Sequence, residues 1–461
     1  MVSIHALERA LACALDQGGD FAEFFIEDTV SRSIALVDGT VDTATTSRKH
    51  GAGLRIYDGL NSLYVHTNDT SPDGLMKLAK QAASAVGNAD AQARVIALQE
   101  SRAANLHPIL QLPGTMDGAR RSQLVHDAYR VAKAYSPEIS QVRSGISDSN
   151  THVLIANSDG LCVCDDRTYT RMRVEAVATK GTESQTGAEA PGAMMGYELF
   201  ESRVDVEQMA RMAAEQAVTM LHADFCPAGQ MPVVIGGGFG GVIFHEACGH
   251  SLEATAVAFG NSEFAGKLGQ RIASDVVSAV DDGTLPNEWG SLNIDDEGTP
   301  TTRLVLIEDG ILKNFMIDRL NGKRMGMPVT GSARRQDYTF APTSRMRNTF
   351  ILPGSSTDEE IIRTMGDGLF AKKMGGGSVN TVTSEFNFAV SEGYLVRDGK
   401  ITCPVRGATL IGKGAEVLMR IDRVGQEMSM GQGMCGSLSG SIPTNVGQPT
   451  IRVSSLTVGG R

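Results

Sequence analysis

The first hundred residues alternate between helical and strand-like spacing of apolar positions. Met1–Gly19 is amphipathic, and the segment that begins at Pro72 again has apolar residues at helical spacing. Between these helices lie short β-prone runs, which are separated by the turn signals Asp38-Gly39 and Asp58-Gly59. The runs are Phe21–Glu27, Ser33–Val37, Ala52–Tyr57 and Ser62–His66. This pattern predicts a sheet with helices packed on it.

The next segment repeats the arrangement after a polar connection, Gln92–Pro113. Helical periodicity returns over Met116–Ala134 and again over Val204–Leu221. Four strands are predicted between these helices, at Ile139–Asp148, His152–Ser158, Gly160–Arg167 and Tyr169–Ala178. Gly181–Gly192 is rich in Gly, Ser and Thr and is predicted to be a loop.

The pattern changes around Asp224–Gly229, where glycine turns and short β-prone runs begin to dominate. One further helix is predicted at Asp358–Leu369. We therefore expect an α+β fold with an N-terminal α/β domain over residues 1–225, itself divisible into 1–92 and 114–225. A β-rich C-terminal domain is expected over residues 226–461.

Composition and charge narrow the class of protein. The 461 residues are 41% apolar and carry a net charge of −11, which argues against a nucleic-acid binder because phosphate binding needs a basic surface. No uninterrupted apolar run of about 18 residues occurs, so a membrane-spanning helix is not expected. The charged N-terminus does not resemble a signal peptide, and seven scattered cysteines favour a reducing compartment. We expect a cytoplasmic protein.

The segment His245-Glu246-Ala247-Cys248-Gly249-His250 has the residue types of a metallopeptidase site. In the zinc-peptidase motif H-E-x-x-H the two histidines lie about 40° apart around an α-helix, but a spacing of five residues separates them by roughly 140°. An undistorted helix therefore does not aim both rings at one ion. Either the helix unwinds or bulges at Gly249, or it stays intact and His250 reaches an ion at its side.

The other members of such a site can be sought by chemistry. Glu246 is the expected general base, which would activate a metal-bound water. No histidine follows His250, so a later third ligand must be Cys, Asp or Glu. Cys435 stands out because glycines flank it, while Cys403 is a weaker rival. Two local alternatives are Glu253 as a ligand and Cys248, which we expect to pack inward.

A glycine run, Gly236–Gly241, directly precedes the motif. It lacks the Lys-Ser/Thr of a phosphate-binding P-loop and the context of a dinucleotide site. We interpret it as a turn from strand to helix that packs close to a substrate backbone.

Several segments resemble the TldD/PmbA family. The segment Gly240–Glu253 resembles that family's signature, and further similarity lies in the segments Val280–Thr284, Ile294–Pro300, Ile307–Lys313, Arg345–Thr349 and Val446–Thr450. The first half agrees mainly in layout, notably at Gly51–Arg55. Because both histidines and the glutamate are present, the chain resembles the metal-bearing TldD-type subunit rather than the PmbA (TldE)-type subunit.

The resemblance implies a set of functional properties. It implies one divalent metal, zinc or else iron, held by His245, His250 and Cys435. It also implies hydrolysis of unfolded or short peptides with little sequence preference, by a dimer formed with a PmbA/TldE-like partner or with a second copy. An extended substrate could add as a strand to a sheet edge, where main-chain hydrogen bonds bind it without selecting side chains.

Two other functions stay open from the sequence. The chain could be a non-catalytic peptide-binding or regulatory subunit of such a complex, although that role gives no reason to retain Glu246 between two histidines. It could also be a metal hydrolase that acts on a non-peptide amide.

Overall fold

The computed structural model describes residues 2–87, 94–380 and 383–460. Helices and strands both contribute, as the predicted α+β class requires, and that class is confirmed. The described residues form an eight-stranded sheet in the first half of the chain, with an eight-stranded, a six-stranded and a small two-stranded sheet mainly from the second half. The proposed boundary between residues 225 and 226 stays a prediction.

The first sheet is built mainly from long antiparallel strands, with the short strand Gln99–Arg102 paired in parallel with Leu161–Lys180. Its strands are Phe21–Val37, Thr40–Asp58, Asn61–Thr67, Gln99–Arg102, Ile139–Asn157, Leu161–Lys180, Glu183–Glu189 and Gly192–Ala193. The predicted turn at Asp38-Gly39 joins the first two, and both of its residues have positive φ, 48° and 78°. That conformation matches the right-handed twist of the flanking strands, as a type I′ hairpin turn does.

Two predictions for this sheet were wrong. The four strands expected between residues 139 and 178 are two long ones, because the polar stretch at Ser149 is paired on both sides, with Ser31 and with Tyr169. The predicted loop Gly181–Gly192 contains the strand Glu183–Glu189. These polar segments are therefore extended because they pair with neighbouring strands, which their local composition did not indicate.

Helices cover one face of this sheet in two groups. The helices of the first half are Ile4–Ala14, Pro72–Val86, Gly118–Ala134, Leu199–Ser202 and Val206–Leu221, with a 3₁₀ turn at Pro113–Thr115. The first two pack on one part of the sheet around Phe24, and Gly118–Ala134 and Val206–Leu221 pack on the other around Val174. On the opposite face, Phe25 packs against Ile294 of the second half.

The second half carries two larger sheets. The eight-stranded one contains Asp224–Phe225, Gly229–Ile235, Gly368–Asn380, Glu385–Arg397, Lys400–Arg406, Thr409–Lys413, Ile421–Val424 and Ile451–Gly459. The six-stranded one contains Ala279–Asp282, Arg303–Glu308, Ile311–Leu312, Asn348–Ile351, Ser429–Ser437 and Gly440–Gln448. Ala333–Arg334 pairs with Thr343–Ser344.

The helical segments of this half are short. They are Phe239–Gly241, Val242–Phe244, His245–Gly249, His250–Leu252, Ala254–Val257, Arg319–Met325, Asp358–Arg363 and Gly414–Arg420. The helix predicted to reach Leu369 ends at Arg363, because Gly366 has a φ of 75° and a strand begins at Gly368. No helix in the described part of the chain has the length and apolar character needed to cross a bilayer.

Candidate metal centre

The motif segment is a π-helical turn over His245–Gly249, followed by a 3₁₀ turn from His250 to Leu252. The backbone N–H of His250 donates to the carbonyl oxygen of His245, five residues earlier. A π turn places residues five apart on the same side of the helix, which an α-helix does not. The imidazole rings therefore meet, with centroids 4.9 Å apart and planes at 83°. Of the two alternatives left by the sequence, the bulged helix is the one observed.

Gly249 is required for a different reason than the sequence suggested. Its φ of −52° and ψ of −54° are ordinary helical values, so no special backbone freedom is used. A Cβ atom at this position would instead collide with the sulfur of Met346, a residue that is almost fully buried. The glycine makes room for Met346 beside the motif.

Cys435 lies on the strand Ser429–Ser437, which pairs with Gly440–Gln448 in a hairpin. This hairpin lies directly against the turn that precedes the motif helix. A Cβ atom on Gly241 would be only 2.6 Å from the backbone nitrogen and oxygen of Gly447. The predicted strand-to-helix turn is therefore observed, and its glycines approach the chain's own hairpin.

Three potential ligand atoms converge where the motif meets the hairpin. The Cys435 Sγ atom lies 3.3 Å from His245 Nε2 and 3.3 Å from His250 Nε2, and the three ligand atoms all lie within 4.8 Å of one another. Sulfur and nitrogen ligands of a tetrahedral zinc ion are about 3.5 Å apart, given bond lengths of ~2.3 and ~2.0 Å. The donor types and their spacing fit a divalent metal.

The three side chains shift one another's pKa values strongly. Burial by itself would raise the pKa of the Cys435 thiol, but His245 and His250 outweigh it and lower the pKa to about 3. Burial by itself would lower the pKa of His250, but Glu253 and Cys435 raise it well above its ordinary value. The sulfur is therefore held as a thiolate, which is the form that binds metals.

Glu246 occupies the more open side of the cluster. Its Oε2 atom lies 3.8 Å from His250 Nε2, and its side chain is 23% exposed against 11% for His250. A carboxylate at this place can reach both the ligand atoms and a molecule entering from solvent. That is the location a general base requires.

The rival ligands considered from the sequence lie elsewhere. Cys403 belongs to the strand Lys400–Arg406 and is not part of the three-residue cluster. Cys248 is buried among apolar residues, and burial raises the pKa of its thiol, as expected for an inward-packed cysteine. Glu253 hydrogen-bonds the outer nitrogen of His250 instead of joining the cluster.

Sequence reasoning missed the side chains that hold the Cys435 strand, among them Arg345 and Trp289. Arg345 Nη2 donates to the carbonyl oxygen of Cys435 at 2.6 Å, and Trp289 Nε1 donates to that of Gly433 at 2.8 Å. Arg345 lies in a segment that resembles the family, and this resemblance gives it no individual role. A fully buried arginine has no distinguishing pattern in a single sequence, so the local signal was absent.

The sequence matches family models along most of its length. The model described as PmbA/TldA metallopeptidase C-terminal domain matches residues 228–460, the central domain model matches 112–221 and the domain 1 model matches 22–86. The chain belongs to this family. The family assignment and the enzyme class predicted from the sequence, a metallopeptidase, are confirmed.

Several known proteins are similar to this chain over most of its length. A Haemophilus influenzae protein named Metalloprotease TldD homolog is 35% identical over 453 residues, which cover 96% of this chain and 93% of that protein. A Saccharolobus solfataricus protein named Zinc metalloprotease TldD homolog is 28% identical over 73% of this chain and 76% of its own. The crystal structure of TldE from Thermococcus kodakarensis has a TM-score of 0.78 at 19% identity and covers 99% of this chain and 100% of that one, so it shares the fold.

Proposed function

We propose that this chain is a TldD-type peptidase that hydrolyses unfolded or short peptides with little sequence preference. One observation carries the proposal. The Nε2 atoms of His245 and His250 each lie 3.3 Å from the Cys435 sulfur, and the Glu246 carboxylate lies 3.8 Å from His250 Nε2. Ligands that could hold one cation and a base beside them are the parts of a hydrolytic metal site.

In this mechanism His245, His250 and Cys435 would hold the metal, and Glu246 moves the proton. A bound divalent metal would acidify a water molecule and polarise the scissile carbonyl group. Glu246 Oε2 accepts a proton from the attacking water while the water oxygen bonds to the carbonyl carbon. Glu246 then delivers that proton to the amine nitrogen as the C–N bond breaks, and the carboxylate is regenerated.

We propose zinc as the metal, with iron as the alternative. One thiolate and two imidazoles are ligands that zinc commonly takes, and three protein ligands leave a fourth position for a reactant. The similar Saccharolobus solfataricus protein is named a zinc metalloprotease, which supports the same choice.

The substrate would bind in extended form near the strand Ser429–Ser437. This strand lies at the edge of the six-stranded sheet, where a peptide could add beyond Met430, which already bridges to Gly238. Side chains of Arg171, Trp289 and Arg345 already bind three of its carbonyl oxygens. A peptide added here would therefore rely mainly on the remaining carbonyls and the amide groups.

We further propose that the protein acts as a dimer, either with a second copy or with a TldE-like partner. We also propose that it is cytoplasmic and that its domain boundary lies at residues 225–226. The family similarity motivates the dimer, and the fold shared with TldE supports a related partner. Light scattering of the purified chain, alone and mixed with a TldE-type protein, would measure the assembly.

The proposed function is tested by comparing two variants that should fail in different ways. The zinc-loaded chain is expected to cleave an unstructured peptide. Glu246→Gln should keep its zinc but lose about 10²- to 10⁴-fold in kcat, because the general base is gone. Cys435→Ser should lose zinc affinity as well as activity. A suitable control is Glu308→Gln, since Glu308 is exposed and outside the cluster.

Each contrary result has a clear meaning. Cleavage by Glu246→Gln at the wild-type rate would refute its role as the base. A pure chain that neither contains zinc nor binds it would favour the non-catalytic binding subunit. Zinc binding without peptide cleavage, but with cleavage of a simple amide, would favour the non-peptide hydrolase.

A further inference from the structure

A buried carboxylate stands behind one of the two histidines. Glu253 Oε2 lies 3.1 Å from His250 Nδ1, on the side of the ring away from Cys435. Glu253 is 4% exposed and is held in place because it precedes the short helix Ala254–Val257, whose Ala256 N–H donates to its carbonyl oxygen. A proton held on Nδ1 by this carboxylate fixes the tautomer in which Nε2 faces the cluster and gives its lone pair to a metal once the Nε2 proton has left.

His245 has no comparable support. Its Nδ1 atom is buried and has no hydrogen-bond partner within the described ranges, whereas its Nε2 faces Cys435. The two imidazoles are therefore oriented differently. The outer nitrogen of His250 has a charged partner, whereas the outer nitrogen of His245 has none among the described residues.

A buried arginine stands behind the third member of the cluster. Arg345 is fully buried, and its Nη2 donates to the carbonyl oxygen of Cys435 at 2.6 Å. Its Nη1 donates to Ser439 Oγ and to the carbonyl oxygen of Gly440, both at 2.9 Å. One guanidinium thus holds both sides of the hairpin turn that follows Cys435, which fixes the strand that carries the thiolate.

These two supporting residues also face each other. Arg345 Nε lies 3.9 Å from Glu253 Oε1, and neither atom has a hydrogen-bond partner among the described residues. Opposite charges at this distance in a buried setting attract each other strongly. The pair therefore joins the motif helix to the hairpin, two segments that are far apart in the sequence.

We propose that Glu253 and Arg345 form a buried brace that positions His250 and Cys435 for metal binding. Both are positioning residues, since each acts through a member of the cluster. This inference rests on the proposed metal centre. Partners of this kind orient metal ligands, and their loss typically weakens metal affinity by about 10- to 100-fold.

The test measures metal affinity apart from catalysis. Zinc affinity would be measured on the full-length protein by competition with a chromophoric chelator, and cobalt would report the ligand set through its visible absorption. Glu253→Gln keeps an acceptor for the His250 N–H but loses the charge, and we expect about tenfold weaker zinc binding. Glu253→Ala removes the acceptor as well and should weaken binding by about 100-fold.

The matched control is Glu392→Gln in the eight-stranded sheet of the second half. Glu392 is also buried and also has two partners, Lys372 Nζ and Tyr394 Oη, both at 2.7 Å. This variant should keep wild-type zinc affinity. Thermal unfolding of each metal-free variant separates a loss of affinity from a loss of stability.

Arg345 is tested through its coupling to Glu253. Arg345→Lys keeps the charge but not the forked donors and should weaken zinc binding by about tenfold. If the two residues act as one brace, the combined variant Glu253→Gln/Arg345→Lys should lose less affinity than the product of the single losses. Should Arg345→Lys not fold, the graded series at Glu253 still decides.

The proposal is overturned if both Glu253 variants bind zinc within twofold of the wild type, or if Glu392→Gln weakens binding as much as Glu253→Gln does. Cys435→Ser in the same assay separates this failure from a failure of the metal centre. Unchanged zinc affinity in Cys435→Ser would refute the centre. Weakened affinity in Cys435→Ser, together with normal affinity in the Glu253 variants, would refute the brace alone.

Discussion

The close contact between Gly241 and Gly447 should control the metal centre from a distance. Gly241 precedes the motif helix, Gly447 lies on the hairpin that carries Cys435, and both are buried. An alanine Cβ at position 241 would lie 2.6 Å from the backbone of Gly447, where ordinary contact starts at 3.4 Å. An added Cβ on Gly447 would in turn meet Met428, Met430 and Phe350, so the hairpin is closely packed on this side as well.

The size of the effect follows from this geometry. Restoring ordinary contact in Gly241→Ala requires the helix and the hairpin to separate by about 0.8 Å. Metal sites tolerate deviations of only about 0.2 Å in ligand distance. We therefore expect at least tenfold weaker zinc binding, together with a loss of about 1–3 kcal/mol in the free energy of unfolding of the metal-free protein.

Chelator competition and urea unfolding measure the two effects separately. Gly436→Ala is the matched control, because Gly436 directly follows Cys435 and an added Cβ meets nothing within 4 Å. This variant should keep its zinc affinity and gain about 0.4–1 kcal/mol in stability, since alanine restricts the unfolded chain. Wild-type zinc affinity in Gly241→Ala would refute the reasoning, because the clash would then relax without moving the hairpin.

Three further predictions concern the surrounding structure. The fully buried Arg347 has the Asp281 carboxylate as its charged partner at 2.8 Å. Asp281→Asn should therefore lower the free energy of unfolding in urea by about 3–5 kcal/mol, and a loss below about 1 kcal/mol would contradict this. Burial lowers the pKa of His107, so the unfolded chain binds the proton first as the pH falls. The free energy of unfolding should therefore decrease below about pH 6.5, by at most ~1.4 kcal/mol per pH unit. His107→Asn should lose less stability than the wild type between pH 7 and 5, and equal losses would count against this. Trp289 is the single tryptophan and donates to Gly433, two residues before Cys435, so adding zinc should change the intrinsic fluorescence of the wild type and not that of Cys435→Ser.

Local sequence signals accounted for part of the fold. The turn at Asp38-Gly39 was predicted correctly because positive φ values at both positions suit those residue types. The helix Val206–Leu221 was also predicted, and the Asp205 side chain caps its first turn. The strand Glu183–Glu189 was missed because its order comes from pairing with Leu161–Lys180 and from contact with that helix, neither of which is local.

The sequence by itself determined the chemistry that this protein carries. The residue types of His245, Glu246 and His250, the absence of a later histidine and the glycines around Cys435 indicated a hydrolytic metal site. The spacing of five residues also indicated that an ordinary α-helix would not serve. These inferences depend on side-chain chemistry and on helix geometry, both of which can be worked out from a short segment.

Only the tertiary structure decided how these residues meet. His245 and Cys435 are 190 residues apart, and their 3.3 Å approach depends on the π turn and on the side-chain-free contact between Gly241 and Gly447. The contact between Glu253 and Arg345 likewise joins two distant segments. Such approaches are set by the packing of whole elements against each other, and no spacing along the chain encodes that packing.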